Sequence, residues 1–240
     1  TIVDNSFASI GRAVMWGRSL YRNIQRFVLF QMTVNLAACL IVLAGAFMGT
    51  ESPLTVTQML WVNLIMDTFA AMALASLPPS DSVMHDRPRD RRSFIITPSM
   101  WRFIISTGLI FFGILFGMVY IFEHADITAL PQLLHPHLGA KSGLTPYELS
   151  LIFTTFVMLQ FWNMFNSRAY ATHRSALHLG HCGEFLFIAM FILVGQILIV
   201  QFGGEFFSVT SLNLSDWLWI IGSTSFVLWI GEFLRLFRKA

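Results

Sequence analysis

Long apolar runs separated by short polar ones dominate the chain, and they are too long to be single faces of a soluble fold. Six stretches are uncharged or nearly so: about Phe27 to Met48, Val56 to Leu77, Met100 to Phe122, Tyr147 to Phe165, Phe185 to Phe202 and Trp217 to Phe237. At about 20 residues each, they are long enough as helices to cross a hydrocarbon core ~30 Å thick. The pattern predicts an all-α fold, a polytopic membrane helix bundle with six transmembrane helices. In residues 1–26, Ile10, Val14, Leu20 and Ile24 recur at near-helical spacing, so the first span is expected to continue into a short N-terminal stalk. Pro78 and Pro79 end the second span, since neither offers an amide hydrogen and the first restrains the residue before it. A charged loop to about Pro98 follows. The segment from Glu123 to Pro146, with Pro131, Pro136, Gly139 and Gly143, reads as a loop. Gly113 and Gly117 have the spacing of a small-xxx-small helix-packing pair.

Composition and charge add a topology. Apolar residues make up 55% of the chain and charged residues 12%, against roughly a quarter charged in soluble domains. Arg12, Arg18, Arg22 and Arg26 precede the first span, and Arg87, Arg89, Arg91 and Arg92 follow the second. Arg102 opens the third at the same end, Arg168 and Arg174 follow the fourth, and Arg235, Arg238 and Lys239 close the chain. Lys141 alone falls on the far side. This asymmetry predicts an integral membrane protein of the plasma membrane or bacterial inner membrane, with both termini cytoplasmic. The lipid bilayer is then a partner, and nucleic acid is not. Trp217, Trp219 and Tyr147 at one level and Trp101 at the other suit an interfacial aromatic belt. No cleavable signal pattern is visible, Thr1 is not an initiator methionine, and the stalk has nothing to attach to; an upstream part is expected. Cys39 and Cys182 are expected at different levels and reduced.

The candidate chemistry lies where polar residues are expensive. Asp67 is some ten residues into the second span, about 15 Å deep, where an ionised carboxylate costs roughly 2.5 to 3.5 kcal/mol. Asn63 is four residues earlier, on the same face of an α-helix. Asn35, with Thr33 nearby, comes from the first span. One negative charge and several neutral oxygens suit a hard cation, and Ca²⁺ takes about 6 to 8 oxygens. The plainer reading of the asparagines is hydrogen bonding between helices. The same reading applies to the uncharged stripe of Thr154, Thr155, Gln160, Asn163 and Asn166, of which Gln160 and Asn163 are candidates for a transport path. Glu232 and Arg235 read as a snorkelling interfacial pair. His135, His137, His173, His178 and His181 with Cys182 fit no standard zinc spacing. No phosphate cradle, nucleophile elbow or HExxH is present, so no catalytic centre is visible in these residues.

These residues resemble a known family. WVNLIMDTFAAMALASLPP, Trp61 to Pro79, resembles the sixth transmembrane helix of P-type calcium ATPases of the plasma-membrane type (type IIB), and FQMTVN, Phe30 to Asn35, their fifth. DNSFASIGRAVMWGRSLYRNIQRF, Asp4 to Phe27, is similar to the segment entering the fifth helix from the phosphorylation domain, and QFWNMFNSR, Gln160 to Arg168, to the eighth. The chain thus resembles the family's C-terminal transmembrane region, its fifth to tenth helices. The resemblance implies that Asn63 and Asp67 hold calcium as the transported ion, together with a glutamate and backbone carbonyls of a fourth helix that is not in this sequence. In sarcoplasmic-reticulum pumps a second site draws on a glutamate of the fifth helix, a threonine of the sixth and a glutamate of the eighth. Those positions are Ala38, Met66 and Gln160 here, which implies one calcium per cycle. ATP and Mg²⁺ would act only through upstream phosphorylation, nucleotide-binding and actuator domains. The implied partner is the upstream portion of the same pump, with its first four helices and cytoplasmic domains, and the loop Ser80 to Pro98 would touch the phosphorylation domain. A manganese and calcium P-type pump shares the NxxMD pattern. A self-contained cation channel or secondary transporter is the reading from another class.

Overall fold

The computed structural model describes residues 7–49, 52–86, 93–125, 127, 132, 139, 143–172, 175–178, 180 and 182–238. His135, His137, His173, His181, Lys141, Arg174, Lys239, most of the Glu123 to Pro146 loop, and Arg87, Arg89, Arg91 and Arg92 lie outside them. Every regular element among the described residues is helical. Five helical segments are long and apolar enough to cross a membrane: Phe7–Met48, Val56–Ala75, Pro98–His124, Gly183–Phe202 and Leu214–Arg235.

Helix α1 (Phe7–Met48) runs unbroken for 42 residues, about 63 Å at 1.5 Å per residue. It lies along α4 (Pro98–His124) and also touches the second span and the central helix. One close contact with α4 is at Gly108, where a Cβ would come within 2.7 Å of Leu36 Cδ2. Gly113 and Gly117, expected as the packing pair, have no atom within 4 Å of a built Cβ; the small residue that matters is one turn or more earlier. The first part of α1 is strapped to the segment after the second span. Arg18 Nη1 donates to the carbonyls of Val83 and Asp86, both at 3.0 Å, and Arg22 forms an ion pair with Asp86. Asn23 Nδ2 donates to the carbonyls of Ala75 and Leu77 at 3.3 and 3.1 Å, satisfying the end of that span.

Helix α5 (Pro146–Arg168) is the axis of the bundle. Pro146 and a Thr145–Glu148 capping box start it. From Ser150 to Arg168 every residue except Trp162 is buried, because α5 is packed by α1, α4, α6 (Gly183–Phe202), α8 (Leu214–Thr224) and α9 (Phe226–Arg238). With no side turned outward, α5 need not be apolar all round, so its polar stripe is compatible with its 23 residues lying at the centre of the bundle.

The last stretch is two helices, not one. Three consecutive hydroxyls, Ser223, Thr224 and Ser225, return hydrogen bonds to the carbonyls of Ile220 and Gly222, and the helix breaks at Ser225. Beyond it, Glu232 and Arg235 form the expected pair, which ties α9 to α5 and to the segment after it: Arg235 Nη2 donates to Asn166 Oδ1 at 2.7 Å, and Glu232 Oε1 accepts from the Ala176 amide at 2.6 Å. Both cysteines are free.

Candidate transport site

The second span is built in three pieces. Thr55 and Gln58 form a capping box that starts α2 (Val56–Leu60), and Gln58 Nε2 also donates to the Phe207 carbonyl at 2.9 Å. Residues Trp61–Met66 then form a π-helical turn, closed by the Asp67 amide donating to the Val62 carbonyl, five residues back. Helix α3 (Asp67–Ala75) completes the span. Wide turns of this kind occur chiefly as single insertions and often at functional sites.

The wide turn changes which residues share a face. In an uninterrupted α-helix, at about 100° per residue, Asn63 would fall within about 20° of Ala70, at the centre of the buried stripe, and Trp61 would point the opposite way. The extra residue shifts the upstream part by one position, so Trp61 and Val62 are buried with Met66, Asp67, Ala70, Ala73 and Leu74. Asn63, Leu64 and Ile65 are left exposed on the outside of the turn. The α-helical spacing that placed Asn63 and Asp67 on one face therefore does not apply here.

Asp67 is 3% exposed, and neither carboxylate oxygen has a hydrogen-bond partner among the described residues. Of the other buried acids, Glu148 and Asp216 serve helix starts, Glu148 Oε2 accepting from the Thr145 amide at 2.8 Å and Asp216 Oδ2 from the Asn213 amide at 3.3 Å, while at Glu123 only one oxygen, Oε1, is buried without a partner among the described residues. Asp67 caps nothing, since the residues before it are already helical. A buried unpaired carboxylate is a strong demand for a cation or proton.

Asn35 is half-buried on α1, while Thr33 is engaged within its own helix, donating to the Leu29 carbonyl at 2.8 Å. Gln160 and Asn163 are fully buried, and all four of their amide heteroatoms lack partners among the described residues. The buried Ser167 Oγ also has no partner among the described residues. Gln160, Asn163 and Ser167 follow an i, i+3, i+7 spacing and so form one stripe along α5; that spacing was the signal that would have added Ser167. Helices α1 and α6 each pack against both α3 and α5, so both adjoin the two elements that carry the unpaired groups. Ala38 and Met66 are 1% and 0% exposed: two of the three positions highlighted by the resemblance are apolar core, and the third is a neutral amide.

The family described as cation transporting ATPase, C-terminus, matches residues 51–237. The chain is 37% identical over 239 residues to plasma membrane calcium-transporting ATPase 4 of Bos taurus, covering 97% of this chain and 19% of the relative. It is 39% identical over 223 residues to calcium-transporting ATPase 8, plasma membrane-type, of Arabidopsis thaliana, covering 92% and 20%. Against calcium-transporting ATPase 5, plasma membrane-type, of Oryza sativa subsp. japonica it is 40% identical over 227 residues, covering 94% and 20%. The chain spans about a fifth of the length of these relatives. A helical membrane bundle with one unpaired carboxylate in its second span thus belongs to the cation-transporting ATPase C-terminal family, and within it resembles the C-terminal transmembrane region of plasma-membrane calcium-transporting ATPases.

Proposed function

We propose that the chain is the membrane transport half of an ATP-driven calcium pump and supplies part of a single calcium site. The observation that carries this reading is the Asp67 carboxylate, 3% exposed with both oxygens unpartnered, at the point where the wide turn meets α3. Asp67 is the anionic ligand. Asn63, on the exposed outer side of the turn, offers its amide oxygen toward groups beyond this chain, and Asn35 is a weaker contributor. These three side chains give about four oxygens, short of the six to eight that calcium takes. The remainder comes from an upstream part of the pump, which also supplies ATP hydrolysis with its Mg²⁺. Gln160 and Asn163 are neutral polar positions along the transport path. Both termini and the basic loops face the cytoplasm, following the arginine asymmetry.

In the full-length pump, Asp67→Asn keeps the shape of the side chain and removes its charge. Membrane insertion is expected to be normal and calcium uptake into sealed vesicles to be abolished. Wild-type uptake by this variant would overturn the assignment.

A further inference from the structure

The geometry points to a positioning device for this site: Trp61, seated on Gly195 and hydrogen-bonded to Gln196 of α6, holds the wide turn in register and thereby sets where Asn63 and Asp67 point. The inference rests on the calcium-site reading above and concerns residues to which that reading gives no role.

Three observations converge on it. The Trp61 indole Nε1 donates to Gln196 Oε1 at 3.0 Å, with Trp61 9% and Gln196 0% exposed. Gln196 Nε2 is buried without a partner among the described residues. The Trp61 ring also packs closely over Gly195. A Cβ there would lie 3.0 Å from Cη2 and 3.3 Å from Cζ2 of the indole, so the ring, held by its hydrogen bond, would have to shift by a few tenths of an ångström.

The position of this contact gives it meaning. Trp61 is the first residue of the wide turn, and Asp67 follows its last. Upstream of the turn, the span is fixed to α6 by Trp61 and to the segment after α6 by Gln58, through the Phe207 carbonyl. Downstream, Asn23 of α1 holds the Ala75 and Leu77 carbonyls, and Phe69 packs at a tilt of 51° against Phe191 of α6 with ring centroids 4.6 Å apart. The two halves are thus held in rotational phases that differ by one residue, about 100°. The wide turn absorbs the difference. Releasing the upstream anchor lets Trp61 turn outward and the turn relax toward α-helical spacing, which swings Asn63 inward toward the buried stripe and displaces the oxygens around the ion. Trp61 and Gln196 touch no ion in this scheme. They act through backbone register.

The test uses the full-length pump and calcium alone as the probe. Trp61→Phe removes the donor and keeps an aromatic ring; Gln196→Met removes the acceptor at similar volume; Gly195→Ala crowds the ring. Each variant is expected to raise the calcium concentration for half-maximal transport by about tenfold, with the maximal rate preserved. Because Trp61→Phe and Gln196→Met cut the same bond, the double variant is expected to shift no further than either single one. Should Gly195→Ala fail to reach the membrane, the two hydrogen-bond variants still decide. Unchanged calcium dependence in both, or a fall in maximal rate with no affinity shift, overturns the positioning role. Asp67→Asn run in parallel separates the outcomes: if it transports normally, the calcium site itself is wrong, whereas if it is dead while the lock variants bind calcium as wild type, only the lock is wrong.

Discussion

At the scale of the residue, two glycines make the sharpest contrast. A Cβ on Gly108 meets the tip of Leu36, which can rotate away. A Cβ on Gly231 instead runs into the amide of Asn166, and that amide is fixed at both ends, Nδ2 donating to the Val227 carbonyl at 2.8 Å and Oδ1 accepting from Arg235. Gly231→Ala is therefore expected to cost at the upper end of the ~1–3 kcal/mol seen for overpacking, and Gly108→Ala distinctly less. The half-life of transport activity on warming, compared for the two variants, measures the difference; equal half-lives would contradict it. Asp67 was legible from sequence alone, because a carboxylate ten residues into an apolar run is conspicuous whatever the helix geometry. The exposure of Asn63 was not, since the four-residue spacing to Asp67 fixes a common face only if the intervening turn is α-helical. No residue between Trp61 and Met66 signals a wide turn. It arises from anchors on α6 and α1 that a linear reading does not connect.

At the scale of the element, the wide turn makes its own prediction. Deleting Leu64, 64% exposed on the outside of the turn, removes the extra residue and leaves both anchors in phase on an ordinary α-helix. The shortened span is expected to reach the membrane with unchanged or higher thermal stability, as a π-helical turn is replaced by regular hydrogen bonding. Calcium uptake is expected to fall at least about tenfold, because Asn63 and the carbonyls around it have moved. Normal uptake by the deletion variant would show that the turn has no part in ion binding. The pattern of hydrophobicity pointed to the long helices, including α5, but it missed the short ones at Asp81–His85 and Gly204–Phe207, and it did not reveal that α5 is covered on all sides or that the final span is broken. Both follow from packing and from the run of hydroxyls at Ser223, Thr224 and Ser225.

At the scale of the whole molecule, topology and stoichiometry are the open quantities. With the basic ends inside, a cysteine introduced at exposed Ser211 is expected to react with an impermeant reagent applied to sealed cells, and one at exposed Ser82 is not; the reverse pattern would invert the proposed orientation. Because Ala38 and Met66 are apolar and fully packed, and Gln160 carries no charge, one calcium is expected per phosphorylated enzyme. Two tightly held ions by direct isotope counting would mean that neutral oxygens of α5 do the work of carboxylates. The orientation follows from counting arginines, whereas the ion count needs the burial of three side chains on three different helices.

The length of α1 has a mechanical consequence. An unbroken helix of about 63 Å, packed along α4 with Leu36 against Gly108, can act as a lever about that contact. Gly108 meets Leu36, so the arm from Leu36 back to Phe7 is 29 residues by subtraction of positions, or about 44 Å, whereas the arm forward to Met48 is about 18 Å. A tilt of about 5° sweeps the long end through nearly 4 Å and moves the short end by less than half as much, on the dimensions of a regular helix. Force applied to the stalk therefore reaches the other end of α1 geared down: a large, weak motion at Phe7 becomes a smaller, stronger one at Met48.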